Sequence, residues 1–72
     1  MFGVTRSELR CLRQQYPKGT RLQLISMEDP QGVPEGTVGE VELIDDIGQI
    51  HMKWENGSGL ALIPEVDKFI RI

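Results

Sequence analysis

Apolar and polar positions along the 72-residue chain fall into two rhythms. Near the start, Leu9, Leu12 and Tyr16 recur at helical spacing and define one face of a helix. Thr5-Arg6-Ser7-Glu8 before them is a capping box, so the helix starts at Thr5 and runs to about Gln15. Pro17 ends it, because proline lacks an amide donor and disfavours helical geometry at the residue before it. After Lys18-Gly19 the rhythm changes to alternation. Arg21 to Met27 predicts a strand with Leu22, Leu24 and Ser26 on one face and Arg21, Gln23 and Ile25 on the other. Three further strands are predicted over Thr37–Ile44, Gln49–Trp54 and Gly59–Ile63. Their inward sets are Val41 with Leu43; Ile50, Met52 and Trp54; and Leu60 with Leu62. His51 and Lys53 point outward. Pro64 to Lys68 predicts one helical turn, and Phe69–Ile72 a fifth strand.

The breaks between strands are chemically specified. Asp45-Asp46-Ile47-Gly48 and Glu55-Asn56-Gly57-Ser58 are both turn sequences. Asn-Gly between two alternating runs predicts a type I′ hairpin, whose two central residues need positive φ. The Glu28–Gly36 segment holds two prolines and two glycines and reads as an ordered excursion. Gly36-Thr37-Val38-Gly39 lacks the lysine and following helix of a phosphate loop and reads as a bulge or close strand crossing.

Strand, long loop, three-stranded meander, helical turn and last strand is the element order of an SH3-like barrel. A short five-stranded sheet curls on itself to bury its inner face. The expected architecture is therefore mainly β: a helical arm over residues 1–16 and a small five-stranded SH3-like barrel over 17–72. A chain of this length makes one domain, with a core too thin for a deep catalytic pocket.

Composition narrows the setting. One cysteine, Cys11, excludes an internal disulfide framework or a cysteine-based zinc site within the chain. No apolar run approaches the roughly 20 residues of a membrane helix, and MFGVTRSELR is no secretory signal. A cytoplasmic protein with no membrane association is expected. The net charge of −3 hides an asymmetry. Residues 1–21 carry five basic side chains against one acid; residues 22–72 carry three against ten. A basic arm on an acidic body follows.

Glu28, Asp29, Glu35, Asp45 and Asp46 lie in the loop and turn that commonly form an SH3-like ligand groove; Asp45 and Asp46 are equally ordinary turn residues. Trp54 and Asn56 complete that candidate groove, with Trp54 either a core aromatic or a partner anchor. His51 has no neighbouring nucleophile with which to form a triad and reads as a surface or turn-packing residue. Arg6, Arg10 and Arg13 share a helix face and, with Lys18 and Arg21, form a basic arm suited to phosphates or an acidic surface. An isolated helix this short is marginal in water, so it must dock on its own barrel, on a second copy or on a partner.

Several clusters also carry a family resemblance. They are Tyr16-Pro17 with Gly19-Thr20-Arg21, Met27-Glu28-Asp29-Pro30, Gly36-Thr37 with Gly39, and Asp45-Asp46-Ile47-Gly48. His51 with Trp54, Asn56-Gly57-Ser58, and Leu60-Ala61-Leu62 with Pro64 complete the set. From Tyr16 to Ile72 the chain resembles the domain-of-unknown-function family numbered 4314, small proteins of bacteria, phages and other mobile elements. The resemblance implies no catalytic residues and no cofactor.

The expected function is therefore a non-catalytic interaction module for a protein partner with a basic segment. In a mobile-element setting it would act as an accessory or inhibitor of a host or defence complex. Nucleic-acid association through the basic helix is the second reading, and an enzyme with a site shared across a homo-oligomer interface the third. No metal site and no cofactor motif is read from the sequence.

Overall fold

The computed structural model describes residues 4–27 and 32–72. Helix α1 spans Arg6–Gln15, and its capping box forms as expected. The Glu8 amide donates to Thr5 Oγ1 at 3.1 Å, and the Thr5 amide donates to Glu8 Oε1 at 3.3 Å. Leu9, Leu12 and Tyr16 are half-buried and pack against the core. Tyr16 meets Phe69 edge-on, with ring centroids 5.7 Å apart. Arg13 reinforces this docking by donating to the Ile44 carbonyl at 3.1 Å. The helix thus lies on its own sheet, and its apolar face supplies the tertiary packing that a ten-residue helix needs.

Four strands form one open antiparallel sheet: β1 (Arg21–Ser26), β2 (Val38–Ile44), β3 (Ile50–Trp54) and β4 (Lys68–Arg71), in the order β3-β2-β1-β4. Alternation on β1 and β3 follows the sequence: Leu22, Leu24, Ile50, Met52 and Trp54 are buried. Val33, Val41, Ile44 and Leu62 complete the core.

Three details differ from the sequence reading. Leu43 is exposed rather than inward, and Ile44 is buried in its place. The cause is a bulge: Val41 pairs with Met52 and Leu43 with His51, so Glu42 is an extra residue that rephases the strand. The expected strand over Gly59–Ile63 is a single bridge, Leu62 to Ile50, held by two backbone hydrogen bonds of 2.9 and 2.8 Å. Leu60 is half-buried beside it. The sheet therefore has four strands, with barrel closure absent from the pairing among the described residues.

The third difference concerns the turns. No residue other than glycine has positive φ among those described, so Asn56-Gly57 is not a type I′ turn. Instead Gly57 N donates to Trp54 O and Trp54 N to Ser58 O, with Gly57 alone at φ 88°. The Asp45–Gln49 turn repeats this pattern, with Gly48 at φ 86°. Both are three-residue loops in which a glycine takes the left-handed position after an ordinary turn.

Candidate functional site

The sequence-selected acidic residues do not converge. Glu28 and Asp29 lie outside the described residues. Glu35 is exposed in the turn where the long loop re-enters the sheet. Asp45 and Asp46 precede β3, whereas Trp54 and Asn56 stand at its far end. A five-residue strand separates these two turns by about 16 Å. Trp54 is only 3% exposed, and its indole donates to the Leu60 carbonyl at 2.8 Å. It is a core residue, unavailable as a surface anchor. Asn56 is exposed but spends its side-chain oxygen on the Ser58 amide.

The basic arm is partly occupied. Arg13 pairs with Asp46 at 3.2 Å, and Arg21 with Glu55 at 3.2 Å. Arg6 and Arg10 are exposed on the same flank of α1, and Lys18 is exposed beyond its C-terminal end. Both ion pairs are solvent-exposed and contribute little stability, but Arg13–Asp46 places the arginine stripe against the acidic turn.

The opposite flank of α1 carries a feature that the sequence reading missed. An open groove of about 710 Å³ runs between the helix and two turns. Val4, Cys11 and Leu12 line its helical side; Ile47 and Gly48 form one turn wall; Ile63, Pro64 and Val66 form the other. Ile47 is 65% exposed, Val66 49% and Ile63 41%. Large aliphatic side chains concentrated around one concavity are a candidate binding surface. Gly48 lets the chain pass close: a Cβ there would stand 2.9 Å from Val4 Cγ1.

Each turn wall is held by an aspartate. Asp67 is buried, and its Oδ2 accepts the Ile63 amide at 2.8 Å. The amides of Val66 and Asp67 both return to the Ile63 carbonyl, closing the expected helical turn. Asp45 does the same for the other wall. Its Oδ1 accepts the amides of Ile47 (3.1 Å) and Gln49 (2.9 Å), and its Oδ2 lies 2.8 Å from His51 Nε2. Burial opposes ionisation of Asp45, but the bonds from His51, Gln49 and Ile47 outweigh it and lower its pKa below the usual 3.8.

A folded-state pKa below the unfolded one gives stability that is present above about pH 4 and is lost as pH falls through the folded value. Asp45→Asn is therefore expected to be less stable than the parent chain at neutral pH, with the gap closing as pH falls below 3.8 through the folded value. Denaturant midpoints at several pH values measure this. A gap that stays constant into acid would show that ionised Asp45 does not hold the turn.

The family model described as a domain of unknown function, DUF4314, matches residues 5–72. The chain belongs to this family. The match starts at Thr5, the cap of α1, so the helix lies within the family's domain, beyond the Tyr16–Ile72 span that carries the sequence resemblance. The groove, with walls from α1 and from turns at residues 45–49 and 63–66, falls inside the DUF4314 match except for Val4. No curated protein and no solved structure matches the chain. No helix among the described residues is long and apolar enough to cross a membrane.

Proposed function

We propose that this protein is a non-catalytic interaction module whose groove beside α1 receives an apolar segment of another protein. The observation that carries this reading is the cluster of exposed Ile47, Ile63 and Val66 around one concavity, with its walls fixed by Asp45 and Asp67. A rigid, preformed apolar groove binds without first ordering itself. The non-catalytic part rests on the site chemistry. His51 is bonded to Asp45, and among the described residues no hydroxyl or thiol is hydrogen-bonded to the imidazole. The nucleic-acid reading is weakened because Arg13 and Arg21 already face carboxylates.

The fold proposed for the module is an SH3-like barrel. With the Leu62 bridge counted as a fifth strand beside β3, the order along the sheet becomes that of such a barrel, with the segment around Leu62 and β4 as its two ends.

Small aliphatic and aromatic fragments, titrated into the labelled protein, test the groove. The amides of Cys11, Ile47, Gly48 and Val66 are expected to shift, and Ile47→Glu to remove the shifts. Shifts confined to the outer sheet face around Ile25 and Ile70 would move the site elsewhere.

A further inference from the structure

We infer that the segment received by the groove is a basic amphipathic helix; this inference rests on the interaction-module reading above. Three observations carry it. First, the elements lining the groove are a helix and two turns, so no free strand edge is offered and strand addition is unavailable. Polyproline docking uses aromatic-lined grooves and acidic-motif docking uses arginine clusters; the described lining holds neither, and its aliphatic walls fit helix-in-groove docking. Second, the length fits. From Ser7 to Gln15 the groove follows about 12 Å of the α1 axis, at a rise of 1.5 Å per residue. A partner helix with aliphatic anchors at i, i+4 and i+7 spans about 10.5 Å.

Third, the charge has one sign. Glu8 and Glu65 are both exposed at the groove, and among the described residues no lysine or arginine lines it. The arginine stripe of Arg6, Arg10 and Arg13 projects from the other flank of α1, toward Asp46. Lysines or arginines flanking the partner's apolar anchors therefore meet carboxylates and are shielded from the stripe by the helix itself. A second copy of this chain fits worse. A symmetric pairing through the groove would bring together Glu8 and Glu65 of both copies with no lining cation between them.

Two synthetic helical peptides with the same leucines at i, i+4 and i+7 test the inference, one carrying lysine and one glutamate at the remaining positions. Binding to the full chain is followed by amide shifts and calorimetry. The lysine peptide is expected to shift Cys11, Ile47 and Val66, and to bind about tenfold more weakly to the Glu8→Gln/Glu65→Gln double variant. Its affinity should fall with salt, and the glutamate peptide should not bind. Gln at position 8 preserves the capping box, so the variant keeps its helix. Equal binding of both peptides in the groove would overturn the charge inference and leave the module reading standing. If neither peptide nor the apolar fragments move groove amides, both fall. Concentration-dependent dimers in sedimentation, abolished by Ile47→Glu, would make a second copy the occupant and overturn the inference.

Discussion

Trp54→Ala is expected to lower folding stability by about 3–5 kcal/mol. Domains of this kind are stable by only about 5–15 kcal/mol, and a small one lies toward the lower end, so much of the population should unfold. The loss has two sources. The indole is 3% exposed amid Met52 and the other core residues, and alanine leaves a cavity there. The Leu60 carbonyl also loses the donor that holds the loop after β3. Trp54→Phe helps separate the two, because it removes the hydrogen bond while keeping most of the packing. Denaturant midpoints measure both variants. A cost below about 1 kcal/mol for alanine would mark Trp54 as a surface residue and refute the packing described here.

The second large effect falls on a residue with no side chain. Gly39→Ala is expected to cost about 1–3 kcal/mol through overpacking. A Cβ at Gly39 would stand 2.6 Å from Trp54 Cε3, 3.0 Å from Cδ2 and 3.1 Å from Met52 Cε. The methionine end can move, but the indole ring is flat, rigid and fixed by its bond to Leu60. Gly39 pairs directly with Trp54 across the β2–β3 ladder, so the backbone has no room to retreat. The test is a double-mutant cycle. In a Trp54→Leu background the alanine should cost much less, because the ring it collides with is gone. Equal costs in both backgrounds would mean that Gly39 is needed for some other reason.

Local chemistry made much of this fold legible. The capping box, the Pro17 stop and the alternation of β1 and β3 each depend on neighbours in sequence, and each formed as read. Features decided by cross-strand pairing were not legible. VELI alternates cleanly through Leu43, and nothing in those four letters shows that Glu42 is left without a partner on β3. Asn-Gly signalled a turn correctly, yet the turn type depended on how Trp54 and Ser58 pair.

The site was harder to read for the same reason. Its walls come from the start of the chain, from Ile47 and from Ile63 to Val66, segments that no spacing rule connects. One signal was available. Ile47 stands in a turn between Asp46 and Gly48, and Val66 stands in a polar turn, so each is a large aliphatic residue where turn chemistry asks for none. The acidic turn drew attention for its charge, but Asp45 spends its carboxylate on holding that turn in place.

The bulge in β2 also bears on how this strand tolerates insertions and deletions. Shortening a regular strand by one residue turns every later side chain to the wrong face. Here the strand already holds one residue more than its partner uses. Excising Glu42 leaves Val41 opposite Met52, Leu43 opposite His51 and Ile44 opposite Ile50, with the same side chains inward. A length change that would scramble β1 or β3 is, at this one position, a return to plain pleating.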